Sequence, residues 1–571
     1  MKKIALIILC LLVYKGGYTQ NNENGGGGLN GTVTGNVEIR TQFYANDTQI
    51  NAQVPPERIS LNGFANVNYT LWKFTAGVRF ESYLPVLLGY PQRFDGTGIG
   101  YRYIKFQDKN ISVTAGTFYE QFGSGMILRA YEDRNLGIDN AIDGFRIKYS
   151  PYKGINLKGV YGKQRFRFED QIIKGDGVVR GFDAEISFNQ MIPKIAETKW
   201  RFELGGSFVS KYQADNNPSL ILPENVGAYG GRLTLGYGGF LFTGEYIHKE
   251  NDPSFDNDYR NDFKYIYKNG DGIYLTGSYS TKGLGINIQA KSLSNMSMRS
   301  DRNAINTDLM ISYLPALTKT HTYALASSIY PYATVPYGEV SFQADVIYTF
   351  KKKSKIGGKY GMTISANYSV NFDVNRYELN DLDGSRRGYV TKPFDAKWDS
   401  LFYQDFNIEI KRKINSTFKF NVNYFFFQFN PIANKVTEYK KLITSHVAVL
   451  DMTFKLAKKV YLRTELQGMF THKDVDDPSK LQDRGHWFAG LVELTFSPHW
   501  TLSGLYQWNF GNNDAEVRKV HYIMGSFSYI KNGMRFSLDV GRQRAGFFCA
   551  GGICRLVPAA TGVTFTFTAS F

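Results

Sequence analysis

The chain has 571 residues, a formal net charge of +16, 43% hydrophobic residues, 39 Tyr, 43 Phe, 57 Gly and only 17 Pro. Beyond its first twenty residues no stretch holds the roughly 18 consecutive apolar residues of a spanning helix, and no repeat recurs at the roughly 40–50 residues of a propeller blade. The positive charge is not gathered into one patch, because many lysines fall in short turns, so no nucleic-acid partner is expected.

In chain order, Met1–Gln20 reads as a secretory leader. Lys2 and Lys3 precede the apolar run Ile4–Val13, and Tyr18-Thr19-Gln20 marks the cleavage region. Cys10 follows Leu9, which is too bulky for a lipoprotein signal. Residues 21–30 form a Gly/Asn-rich linker, which leaves residues 31–571 as one domain without a separate N-terminal plug.

From Gly31 onward the pattern has a period of two. In Gly31–Tyr44, Val33, Val37, Ile39 and Phe43 alternate with Asn36, Glu38, Arg40 and Gln42. Glu57–Leu71, Val340–Phe350, Met362–Asn371, Phe418–Asn423, Val460–Thr471, Leu502–Phe510 and Met534–Gly541 read alike. The last residues alternate strictly: Val563, Phe565, Phe567, Ala569 and Phe571 against Thr564, Thr566, Thr568 and Ser570. Such alternation places one set on each face of a strand. A terminal aromatic facing lipid suits the closing strand of a membrane barrel and an assembly signal at Phe571. The predicted fold is all-β, an up-and-down antiparallel transmembrane barrel of 26 strands, with 24 as the main alternative.

Tight turns are expected at Gln107–Asn110, Pro151–Gly154, Gly238–Gly239, Lys282–Gly283, Pro315–Lys319, Lys351–Lys355, Lys413–Asn415, Ala457–Lys459, Ser497–His499 and Lys531–Gly533. Longer polar loops lie between them, so the turns belong to the periplasmic rim and the loops to the cell surface. Lysines in the turns, including Lys153, Lys194, Lys319 and Lys351–Lys353, then anchor in the headgroup layer.

By strand phase the lumen carries both signs of charge. Glu38 and Arg40, Arg79 and Glu81, Arg201 and Glu203, and Arg463 and Glu465 are close neighbours. They suit either a salt-bridged, hydrated wall or opposed ladders that orient a polar solute. The segment Tyr119–Gly144 mixes glycines, the apolar Met126, Ile127 and Leu128, and the polar or charged Gln121, Arg129, Glu132, Asp133, Arg134 and Asp139. Its apolar residues predict a loop folded into the lumen that constricts it. Cys549 and Cys554 enclose Ala-Gly-Gly-Ile, a spacing suited to a disulfide in an exported loop and poor for zinc. His446, His472 and His486 fall outward at the rim. No catalytic, metal or cofactor site is expected.

Phe118-Tyr119-Glu120-Gln121-Phe122-Gly123-Ser124-Gly125, Asp139–Gly144, Gly159–Gln164 and the ending Cys549–Phe571 carry a resemblance. The chain resembles a family of large, functionally uncharacterised outer-membrane barrel proteins of the Bacteroidetes. The resemblance implies a porin-like barrel in the bacterial outer membrane and supplies no activity. The expected function is a porin-like channel for a polar solute, not an enzyme. The alternatives are a non-conducting assembly or secretion barrel that docks lipoproteins, and an outer-membrane hydrolase. Expected partners are outer-membrane lipids, lipopolysaccharide, the barrel-assembly machinery through the last strand, and lipoproteins.

Overall fold

The computed structural model describes residues 31–571 other than 169–171, 219–220, 253–267, 306, 379–388, 432–441, 473–484, 512–518 and 552. The leader and the linker lie outside the described residues, as do most acids of the loop at 251–271 and those at 474–483.

One antiparallel sheet of 24 strands closes on itself. The first strand, Thr32–Ala45, pairs on one side with Ile59–Leu71 and on the other with the last, Ala560–Ser570. The seam runs from Asn36 opposite Ser570 to Ala45 opposite Thr561. Gly35 and Phe571 exchange backbone hydrogen bonds of 2.9 and 3.0 Å beyond it. Closure leaves no ladder edge, which hydrocarbon requires because it offers no partner for a free N–H or C=O.

Alternation decides which face meets lipid. Ile104 and Ile523 are each 61% exposed, and Val67, Phe74, Val78, Phe182, Ile288, Val492 and Leu502 share that outer surface. So wide an apolar exterior is a liability in water and a requirement in a bilayer. Among the described residues no helix is long and apolar enough to span. The polar partners Asn62, Arg79, Glu81, Asp183, Glu245 and Asn367 point inward and are buried.

The expectation of 26 strands is corrected to 24, the alternative count. The two surplus strands were placed around Pro315–Lys319, which is not a periplasmic turn. Residues 295–337 instead make one connection between Leu284–Ser294 and Gly338–Phe350. Lys319 therefore leaves the periplasmic rim and sits in the lumen beside His321. The reason is where the apolar side chains go. Met296, Met298, Leu309, Ile311, Leu314, Leu317 and Leu325 are buried inside the barrel, not alternately exposed to lipid. The other expected turns join adjacent strands, as do Trp72–Lys73 and residues 188–199.

The seam register is testable by cross-linking. Gln42 stands opposite Thr564, so the double variant Gln42→Cys/Thr564→Cys should form a disulfide within one chain, visible on non-reducing gels. Gln42→Cys with Phe565→Cys should not, because Phe565 lies one residue out of register and on the other face.

Candidate functional site

The site is the lumen itself. Outer connections 84–95, 119–141, 295–337 and 544–559 fold inward and cover lumen-facing apolar residues near the outer ends of the strands. Within 119–141, Glu120–Phe122 pairs with Leu128–Ala130 as a short hairpin. Its tip turns through Gly123 and Gly125, whose φ angles of 53° and 97° suit glycine. Phe122, Met126, Ile127 and Leu128 are buried against Val160, Val179, Val209, Ala228 and Ile247 of the wall. Each such side chain contributes on the order of 1.5–3 kcal/mol by leaving water.

A charged lock fastens this segment. Arg79 donates to Glu81 at 2.6 Å, to Glu132 at 3.0 Å and to Asp139 at 2.6 Å. Arg165 reaches Glu81 at 2.7 Å and Asp139 at 2.6 Å. Tyr83 donates to Glu81 and Tyr119 to Asp139, both at 3.0 Å. Arg134 extends the chain of charges to Glu132 at 2.9 Å and to Glu38 of the first strand at 2.6 Å. Glu81 is 0% exposed and Arg165 2%, so these charges are stable inside only because they are paired. Burial alone would raise the Asp139 carboxyl, but Arg165 and Arg79 hold it below the ordinary carboxylate range.

The segment 295–337 crosses the lumen and is pinned along its length. Lys249 donates to the Ser297 carbonyl at 2.8 Å and Lys291 to the Pro315 carbonyl at 2.5 Å. Lys291 also pairs with Glu339 at 2.8 Å, and Glu339 accepts from Tyr332 at 2.5 Å. Arg93 binds Asp308 at 2.8 Å, which ties 84–95 to the same segment. His321 meets Asp405 at 2.6 Å, and Gln467 accepts from the Leu325 N–H at 2.9 Å. Tyr323, Leu325, Ile329, Tyr330 and Tyr332 pack on Phe425, Phe427, Phe429, Val447 and Trp487 of the facing wall. One connection thus braces both sides of the barrel.

Cys549 and Cys554 form a disulfide across the hairpin Gly546–Ala550 with Ile553–Val557. The hairpin lies over the lumen segment: a side chain at Gly551 would strike the Tyr313 hydroxyl, and Arg544 donates to the Ser328 carbonyl at 2.9 Å. Of the other residues singled out in the sequence, Arg129 stacks its guanidinium 4.5 Å from Tyr131 and 4.0 Å from Tyr313. Asp133 accepts from the Asn135 and Leu136 N–H groups, and Gln121 donates to the Gly123 carbonyl. Arg40 is exposed beside a small cavity it shares with Glu38 and Arg134. Arg201 and Glu203 pair at 3.1 Å and Arg463 and Glu465 at 2.6 Å, away from the lock. His446 bonds Tyr424 and the His486 ring lies 5.5 Å from that of Phe470, both on the outer rim.

Arg165 escapes strand-phase reasoning. Lys158 and Val160 set the inward phase of Ile155–Phe168, which would turn Arg165 to lipid. The ladder to the next strand slips between Lys163 and Arg165, and both Gln164 and Arg165 become buried. A bulge of this kind re-aims one side chain.

A family profile matches residues 1–571. The chain belongs to a family of unknown function, DUF6029. It is similar in structure to the siderophore receptor PirA from Pseudomonas aeruginosa, with 9% identity over 94% of this chain and 80% of that one at a TM-score of 0.40. It is similar to OccD3 from the same organism, with 10% identity over 85% and 93% and a TM-score of 0.34. It is also similar to the P pilus usher PapC translocation pore, with 9% identity over 94% and 98% and a TM-score of 0.38. Among curated protein sequences none matches it. The closed sheet and its apolar exterior are those of an outer-membrane β-barrel.

Removing Arg165 leaves Glu81 and Asp139 to share one arginine. Arg165→Met should destabilise docking of 119–141 by about 3–5 kcal/mol, read as new tryptic cleavage at Arg129 or Arg134 in a barrel that still migrates as folded; unchanged resistance would remove the lock from this account. The pH dependence has a definite sign. A carboxyl held low in the folded state contributes stability above its ordinary value, and that stability is lost only as pH falls through the lowered value. Protection of 119–141 should therefore persist from pH 7 down to about 4, checked by hydrogen exchange.

Proposed function

We propose that this protein is an outer-membrane channel for a polar solute that is held shut by its own inward-folded connections and conducts when they are displaced. One observation carries the reading: residues 295–337 cross the lumen and pack on both walls, above strands whose inward faces are ionic. The apolar packing supports a barrier to water and ions in the outer half. The paired charges lower down, Arg201 with Glu203 and Arg463 with Asp451 and Glu465, support a hydrated route rather than a filled core.

A second reading is a permanently sealed barrel that docks secretion or assembly partners such as lipoproteins. The hairpin over the lumen segment favours it, since it rests on Tyr313 and Ser328 and must move before that segment can. In both readings the aromatic last strand serves as the mark for the barrel-assembly machinery, and the outer rim contacts lipopolysaccharide. Both also fit the chain's resemblance to a family of outer-membrane barrel proteins of the Bacteroidetes.

Planar-bilayer recording separates the two. The full-length protein should be silent or open rarely, whereas replacing 296–336 with a short Gly/Ser linker should give large, stable steps. A steadily open full-length protein would contradict the closed state. A silent but folded linker variant would leave the sealed scaffold standing in place of the channel.

A further inference from the structure

Beneath the tip of the 119–141 hairpin the wall carries a cavity of about 320 Å³ that no contact of the lock occupies. Strand register builds it in two rows. In the upper row Glu185, Gly205, Arg232, Glu245 and Tyr274 stand opposite one another on successive strands. In the lower row, nearer the short turns, come Glu203, Thr234, Thr243 and Thr276. A side chain at Gly205 would stand 2.6 Å from the Arg232 guanidinium that lies over it and would push that group aside.

The charges are mixed and only partly used. Arg232 pairs with Asp183 at 2.8 Å and donates to Ser207 at 2.7 Å, Lys158 donates to the Gln121 carbonyl at 3.1 Å and stands 3.7 Å from Asp183 and 3.8 Å from Glu120, and Glu203 pairs with Arg201 at 3.1 Å. Glu245 accepts from the Ser124 N–H at 3.0 Å. Glu185 has no ion pair among the described residues. A neutral polyol would cover these groups without matching their charge. A simple anion meets three carboxylates, and a simple cation meets Lys158 and Arg232. Only a solute bearing both signs offers each group its complement.

We propose that this cavity binds a small zwitterion with an ammonium and a carboxylate, an amino acid or short peptide. Its ammonium lies by Glu185 and Glu203, its carboxylate by Lys158 and Arg232, and its amide groups along the threonines. The proposal rests on the channel reading and names the class of its solute. Because Lys158, Arg232 and Glu245 also hold or adjoin the hairpin tip, the solute reaches the groups that seat that part of the plug.

Calorimetric titration of the detergent-solubilised full-length protein with dialanine tests this, with maltose and cadaverine as contrasts. Dialanine should bind saturably, and maltose and cadaverine should not. Glu185→Gln should weaken dialanine by about tenfold or more, and Thr243→Trp, which fills the cavity without touching the hairpin, should abolish it. Thr276→Trp replaces any variant that fails to migrate as a folded barrel. Absence of saturable dialanine binding, equal binding by the variants, or equal binding of maltose would overturn the proposal. Steps from the linker variant in peptide-free bilayers, together with calorimetric silence, would remove only the solute class and leave the channel.

Discussion

Every other feature of this molecule follows from the closure of its sheet. Inside hydrocarbon each strand edge must find a partner, so the first strand meets the last and Phe571 bonds back to Gly35. Twenty-four strands then enclose a tube wider than the side chains of its own wall can fill. Such a lumen must hold either water or polypeptide. Here the outer half holds polypeptide, supplied by connections that would otherwise be surface loops.

The filling uses two physical devices. Apolar contact supplies most of the favourable free energy: Met126, Ile127 and Leu128 on one side and Tyr323, Leu325 and Ile329 on the other cover aliphatic and aromatic wall residues. Contact of that kind is non-directional and would tolerate several seatings. The buried ion pairs are directional. Arg79 and Arg165 come from the wall, Glu132 and Asp139 from the loop, and Glu81 from the wall between them. Lys291 and Glu339 pair within the wall and also hold 295–337, Lys291 by donating to the Pro315 carbonyl and Glu339 by accepting from Tyr332. Ion pairs of this kind add little net stability over an apolar substitute, but a misplaced segment would leave charges unpaired. Their contribution is to where each connection sits.

The two halves of the lumen therefore differ in character. Above, apolar packing is tied together by wall-to-loop bonds. Below, charges pair along the wall itself and threonines from adjacent strands share one row. The hairpin tip at Gly123-Ser124 sits on the boundary, touching Glu245 above the open cavity. A change at that boundary acts on both halves.

The barrel, its lipid face, its closing strand and all but one of the expected turns were legible in the linear pattern, because a period of two is a local property that lipid imposes on each strand separately. Met126, Ile127 and Leu128, which have no use in a solvated loop, are buried against the wall. The course of 295–337 was not legible. Its apolar residues contact strands far away in the chain, so they carry no period of their own, and two strands were read where the lumen holds a brace. Arg165 was hidden for a related reason: a bulge reversed its face, and only pairing with the neighbouring strand shows a bulge. Sequence alone determined that there would be a membrane tube with charges of both signs inside it. Tertiary structure decided which connections fold into the tube, and which charges meet, because those outcomes depend on which distant strands close around the same space.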